Sequence, residues 1–306
     1  MKISCQGGCK LSNFQARITG GLGNQLFKFF NAVDLETKLN QSMELDLTWY
    51  VNPIDNRNLV SSRVFDLNYF PNIRKVNQIE WNSTQAHKRT GQLLRHSKGG
   101  IKKFMRYMDE SNRDYFIDNS LNVKIVDGSF EKLENLPEAT TIKHYLTMPI
   151  TLSSWLQKEL LKVEEMQPIA VHIRRGDFIN LPELYDVLKP SYYFNSLNLA
   201  FKMYGKRPIH LFSDDYSSAI QFLDNEILFD EVIQQDPGIK TAEIFALLAR
   251  YPIIISANST FSWWAGYLGH ISESTKFVSM PEKFLVSDQV DPARYLKHSG
   301  TTVVSN

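Results

Sequence analysis

Two periods of hydrophobic and polar residues run through this chain, and the places where one gives way to the other mark its elements. "FQARI" (14–18) alternates and predicts a strand, and the glycine turn "TGGLGN" follows it. "QLFKFFNAVDLETKLN" (25–40) then places Leu26, Phe29, Phe30, Val33 and Leu35 at helical spacing, and "SMELDL" (42–47) predicts the next strand. Strand, turn, helix and strand make one βαβ unit. From about 50 to 150 the chain is aromatic and charged with weak periodicity, which predicts short helices and strands. The pattern becomes regular again after Pro168. "IAVHIRR" predicts a buried strand, 191–205 a helix ending at Gly205, and 207–215 a strand. "SSAIQFLDN" reads as a short helix and "ILFDEVI" as a further strand. They are followed by a helix over 241–251, a strand in "PIIISANS", and a helix opened by "TFSWWAGYLGH". Strands alternating with helices predict an α/β protein with an open parallel sheet covered on both faces. The expected division is into 1–167 and 168–306, cut at Gln167-Pro168.

Composition refines this picture without overturning it. The chain has 306 residues, 43% of them hydrophobic, and a formal net charge of +1. That balance excludes the strong basic excess expected of a nucleic-acid-binding protein. Lys88–Arg113 is locally dense in lysine and arginine, which suits a solvated helical face or contact with an anionic membrane. No run approaches the about 20 apolar residues needed to cross a bilayer, and the N-terminus has no secretory core. Two cysteines, Cys5 and Cys9, have no further Cys/His pair to complete a zinc site. The expectation is a reduced, cytoplasmic protein, at most peripheral on the inner face of a bacterial inner membrane.

The candidate chemistry lies at strand ends, where ligands of open α/β sheets bind. In "VHIRRGDF" (171–178) a buried strand runs into His172, Arg174, Arg175 and Asp177, although burying charge is costly unless it is paired. Strand alternation sends Arg174 and Arg175 to opposite sides. One of them suits a phosphate, because guanidinium makes two parallel charge-assisted hydrogen bonds. The other suits Asp177 or another carboxylate. Purely structural ion pairing of both remains open. Arg175-Gly176-Asp177 also spells an adhesion tripeptide, which at the end of a buried strand reads as coincidence. In "GGLGNQ", Gly20, Gly21 and Gly23 allow close backbone approach to a ligand, with Asn24 beside them, or else make a plain turn. Asp214 and Asp215 suit a ribose, a base edge or the arginines. Their adjacency disfavours a metal, and no ligand cluster stands at obvious spacing. Asn258, Ser259 and Thr260 precede a helix and either cap it or present its N-terminus, with Phe261, to a phosphate. Trp263 and Trp264 read as core. Neither a G-x-S-x-G element nor a Walker lysine loop is present.

Together "GGLGNQLFKFF", "VHIRRGDF", "HLFSDD" and "IISANSTFSWWAGYLG" resemble glycosyltransferase family 11, the α-1,2-fucosyltransferases, in the family's order. The resemblance runs from about Phe14 to the "KFVSMPEKF" segment. It departs at Lys28, where glutamine is usual, and at Phe178, where tyrosine is usual. It implies a GT-B-like fold of two Rossmann-like domains with a cleft between them. It also implies GDP-β-L-fucose as the sugar donor, inversion at the anomeric carbon, and no cofactor or metal. Arg174 matches an arginine that holds the donor's β-phosphate in related families, and Asn24 an asparagine near the donor. The implied reaction is fucosyl transfer to the 2-hydroxyl of a terminal β-galactoside, for example in O-antigen or lipid-linked oligosaccharide assembly. Gly21, Gly23, Asn24, Arg174, Arg175, Asp214, Asp215, Asn258, Ser259, Thr260 and Phe261 are expected around the donor. Asp177 is the first base candidate, His172 the second and Glu183 the third. Fucosylation of another linkage or of protein, and a non-catalytic GDP-sugar-binding protein, are the alternatives.

Overall fold

The structure, a computed structural model, describes residues 13–51, 63–79, 93–175, 188–223, 226–233, 238–284 and 296–305. Two parallel sheets organise these residues. The first contains β1 (Asn13–Arg17), β2 (Ser42–Asp46), β3 (Gln78–Ile79), β4 (Tyr107–Met108) and β5 (Ile125–Val126) in the order β3-β2-β1-β5-β4. The second contains β6 (Ile169–Ile173), β7 (Ile209–Ser213), β8 (Glu231–Val232), β9 (Ile253–Ile255), β10 (Phe277–Pro281) and β11 (Thr301–Val304) in the order β11-β10-β9-β6-β7-β8. Read from β8, this is the Rossmann order 3-2-1-4-5-6, with its switch point between β6 and β9. The first sheet reverses direction between β1 and β5.

The helices are α1 (Leu22–Leu39), α2 (Thr48–Val51), α3 (Pro71–Arg74), α4 (Gly99–Phe104), α5 (Arg113–Asp118), α6 (Ala139–Tyr145), α7 (Ser154–Met166), α8 (Pro190–Tyr204), α9 (Tyr216–Phe222), α10 (Thr241–Leu248) and α11 (Thr260–Ile271). Every residue of β6, β9 and β10 is buried, as expected for strands covered on both faces, whereas β1 alternates because one of its faces is only half covered. The expected α1 begins three residues earlier than its periodicity suggests, so Gly23 and Asn24 belong to its first turn. The predicted strand over 227–233 shrinks to Glu231–Val232, and β10 and β11 lie where no strand was expected.

One apolar core joins the two halves. Phe27 lies 4.9 Å from Trp263 and 5.0 Å from Trp264, and Phe30 lies 5.2 Å from Trp264. All four rings are buried, so both tryptophans are core. The α1–α11 contact therefore sets how the β1 and β9 loops face each other.

Candidate active site

The loops after β1, β6, β7 and β9 meet at the two switch points. Gly20 has a φ of +84° and turns the chain from β1 into α1. The first turn of α1 then lies against the start of α11. A Cβ on Gly23 would come within 2.5 Å of the Thr260 carbonyl carbon and 2.6 Å of the Phe261 nitrogen, so only glycine allows this approach. The Thr260 hydroxyl donates to Asn24 Oδ1 at 2.7 Å and ties the two helix starts together. Gly21 is the residue before α1, with Arg63 beside it.

At the end of β6, Arg174 Nε lies 3.3 Å from Asp214 Oδ2, and the Arg175 backbone N–H donates to Asp214 Oδ1 at 2.9 Å. Asp214 thus sets the direction of the Arg174 guanidinium by holding its Nε edge. Arg175 leaves the opposite face of β6. Its guanidinium stacks 4.1 Å over the Phe222 ring, and its buried Nε has no hydrogen-bond partner among the described residues. Alternation explains this, because Arg175 follows the face of Ile173 and Arg174 that of His172. Asp177 and Glu183 lie outside the described residues, as do Phe178, Cys5 and Cys9.

His172 is buried against Phe261, their ring centroids 5.7 Å apart, and its Nδ1 has no partner among the described residues. Burial, reinforced by the Arg174 charge, pushes its pKa down to about 4, so the ring is neutral at neutral pH. Two other expected donor-binding residues have structural work. The Asp215 carboxylate accepts from the Ser218 N–H at 3.0 Å and the Ser218 hydroxyl at 2.7 Å, capping α9. Asn258 Nδ2 donates to the Phe284 carbonyl at 3.1 Å and anchors the chain after β10. Ser259 caps α11 by accepting from the Phe261 N–H at 3.3 Å. The α11 start retains further first-turn N–H groups and the positive end of the helix dipole. Gly23 and Asn24 thus meet Thr260 and Phe261 at the α11 start, and Arg174 leaves β6 on the face of His172, whose ring lies against Phe261. Among the described residues no three His, Cys, Asp or Glu side chains gather closely enough to hold a metal ion.

The structure adds two polar groups that sequence reasoning did not single out. Under the β1 turn, the Tyr50 hydroxyl donates to the Gly20 carbonyl at 3.1 Å, and Gln25 Nε2 donates to the carbonyls of Gly20 and Val64. Gln25 Oε1 accepts from the Asp66 N–H at 3.0 Å. Burial raises the Asp66 pKa to about 6 against the opposing pull of Arg63. Beyond the carboxyl ends of β1 and β5, Asp127 Oδ2 receives Arg17 at 3.3 Å, Arg95 at 2.8 Å and the Tyr107 hydroxyl at 3.0 Å. Lys28 on α1 donates to the neighbouring Gly128 carbonyl. Only the charge in "FQARI" and in "IVDG" hints at this second group, because its members are up to 110 positions apart.

These titrations fix a pH dependence. The pKa of His298, also buried, is pushed down to about 4 by burial and by His270. Both histidines bind fewer protons folded than unfolded between about pH 4 and 6.5, so stability falls as pH drops through that window. Asp66 acts oppositely between the ordinary aspartate value of 3.8 and about 6, because its protonated form suits the fold. Burial also lowers the His210 pKa and raises that of Glu36, so three histidines oppose two carboxyls, and thermal melting should move to lower temperature between pH 7 and pH 4.5. His298→Asn should flatten that dependence, measured by circular dichroism melts across the range.

Two parallel α/β sheets whose β1 and β9 loops pack against one another define a protein of the GT-B-like class. The fucosyltransferase NodZ from Bradyrhizobium has this fold at a TM-score of 0.50 and 17% identity, over 85% of this chain and 93% of that one. The sequence model of glycosyl transferase family 11 matches residues 14–288, and the chain belongs to that family. Two Escherichia coli relatives are similar along nearly their whole length. The O-antigen biosynthesis glycosyltransferase WbnK is 27% identical, covering 89% of this chain and 94% of the relative. An alpha-1,2-colitosyltransferase is 26% identical, covering 83% and 86%.

Proposed function

We propose that this glycosyltransferase moves L-fucose from GDP-β-L-fucose, with inversion, to the 2-hydroxyl of a terminal β-galactoside on an O-antigen or lipid-linked oligosaccharide. The observation that carries the reading is the end of β6 at the β6/β9 switch point, where Asp214 holds the Nε edge of Arg174. A diphosphate leaving group gains negative charge as the glycosidic bond breaks. A guanidinium and backbone N–H groups, already oriented, stabilise that charge without reorganisation. The acceptor side is assigned to the first sheet, where the partly exposed Arg17 and Arg95 pair with buried Asp127 beyond the strand ends and have further guanidinium N–H groups for hydroxyls. The two E. coli relatives, an O-antigen biosynthesis glycosyltransferase and an alpha-1,2-colitosyltransferase, support an O-antigen setting and a 1,2-linkage.

The acceptor hydroxyl must lose its proton as it attacks the anomeric carbon. Asp177 is the base in this reading. His172 is a weak second, since a buried imidazole with a pKa near 4 has little affinity for a proton, and Glu183 is third. Asp177→Asn should abolish transfer while GDP still binds, measured by calorimetry alongside the transfer assay. Loss of GDP binding instead would give Asp177 a structural role.

The deciding experiment offers labelled GDP-fucose and a panel of terminal galactosides to the purified chain, with linkage analysis of the product. The expected product is 1,2-linked, and its yield is unchanged by a chelator. Dependence on an added divalent ion would remove the metal-free mechanism. GDP binding without transfer to any acceptor would favour a non-catalytic binding protein. The colitosyltransferase relative gives one specific reason to include GDP-colitose, because colitose is L-fucose lacking its 3-hydroxyl. A site that hydrogen-bonds that hydroxyl rejects the deoxy sugar strongly.

A further inference from the structure

Residues 93–108, "LLRHSKGGIKKFMRYM", contain five lysines and arginines and no acidic residue. The segment folds as α4 with its flanks and leads into β4, the edge strand of the first sheet. Two of its cations turn inward. Arg95 reaches Asp127, and Lys102 pairs with Asp109. Lys98, Lys103 and Arg106 stay exposed, and the Lys103 ammonium lies 3.5 Å over the half-exposed Tyr115 ring of α5. Among them stand large apolar side chains that folding has left in water: Phe104 is 85% exposed, Leu93 73%, Ile101 53% and Met105 41%. A phenylalanine this exposed inside a cluster of apolar neighbours marks a contact surface. Asp114 and Asp118 on α5 are the exposed acidic residues of the adjoining helix.

Apolar side chains ringed by cations suit the boundary of a bilayer, where the rings and aliphatic chains enter the acyl edge and the cations meet anionic headgroups. No helix among the described residues is long and apolar enough to cross a membrane. We propose that the exposed face of α4, with Ile101, Phe104 and Met105 as wedge and Lys98, Lys103 and Arg106 as anchors, docks the protein on an anionic lipid surface. Charge complementarity selects lipid over a second copy of the chain, whose same face would bring these cations against one another. The face borders the site. Arg95 runs from the docking segment to Asp127 at the carboxyl end of β5, on the side given to the acceptor. Docking there would bring the Arg17–Arg95–Asp127 group toward a glycan rooted in the same bilayer. This deepens the reading of a lipid-borne acceptor and rests on it for its purpose, while the docking itself rests on the surface alone.

The test is sedimentation of the full chain with vesicles of phosphatidylglycerol and phosphatidylethanolamine, compared with pure phosphatidylcholine. Binding is expected on the anionic vesicles only and should weaken in high salt. A cation near such a surface contributes roughly fivefold in partitioning, so K98Q/K103Q/R106Q should lower binding on the order of a hundredfold. I101S/F104S should lower it at least about tenfold through lost apolar insertion. Both variants should keep wild-type melting and transfer a soluble galactoside acceptor at the wild-type rate. Absence of binding to anionic vesicles, or binding that neither variant alters, overturns the proposal. So does concentration-dependent dimerisation that I101S/F104S abolishes without any vesicle binding, which would make the face an interface between copies. Vesicle binding requires no transfer and the soluble assay requires no vesicles, so failure of docking and failure of the fucosyl reading are separable.

Discussion

Arg174→Lys should leave the protein folded and lower transfer about 10²–10³-fold, the usual cost of removing one oriented group from a developing oxyanion. Lysine keeps the positive charge but loses the planar fork, and it has no Nε edge for Asp214 to hold. The ammonium would therefore follow the carboxylate itself, lying along the Asp214 side rather than presenting two parallel N–H groups to a diphosphate. The loss should fall mainly on kcat, with GDP affinity reduced less, because the charge that must be stabilised grows as the bond breaks. Asp214→Asn should give a smaller loss of the same kind. It leaves the guanidinium intact and weakens only what aims it and what receives the Arg175 N–H. Steady-state kinetics and GDP calorimetry on both variants, with melting curves as the control for folding, separate these effects. Near-normal turnover in Arg174→Lys would remove this arginine from the leaving-group role.

Gly23→Ala should damage both stability and transfer. The added methyl would meet Thr260 and Phe261 backbone at about 2.5 Å, and backbone in a helix start cannot swing aside as a long side chain can. Helix α1 would have to lift from α11, opening the Phe27–Trp263–Trp264 contact that joins the two halves of the molecule. Overpacking of this kind typically costs about 1–3 kcal/mol. The Asn24–Thr260 hydrogen bond, which depends on the same approach, should be lost with it. Melting temperature and GDP affinity should fall together. Gly100→Ala is the control: a Cβ there meets nothing within 4 Å, and its helical position favours alanine, so that variant should melt no lower than wild type.

The sequence by itself determined the period of each regular element and the positions where charge interrupts it. The buried runs that became β6 and β9, the helical spacing of α1, α8, α10 and α11, and the polar ends at 172–177, 213–215 and 257–260 are local signals, because burial of a face imposes a period on neighbouring residues. Short elements escaped this reading. Strands of two residues such as β3, β4 and β5 have no period to detect, and β11 is four residues of "TTVV" that read equally well as a loop.

Only the tertiary structure decided which polar strand-end residue does which work. Arg174 and Arg175 are chemically identical in sequence, yet one lies on Asp214 and the other on Phe222, according to the face of β6 each leaves. Asp214 and Asp215 divide between aiming an arginine and capping a helix. Asn258 and Ser259 divide in the same way between the Phe284 carbonyl and the α11 start. Gly23 is ordinary in a list of glycines until Thr260, 237 positions later, lies where its side chain would be. The reason is physical: a period is set by the solvent on either side of an element, whereas the partner of a charge or the space around a glycine is set by whatever part of the chain folds back against it.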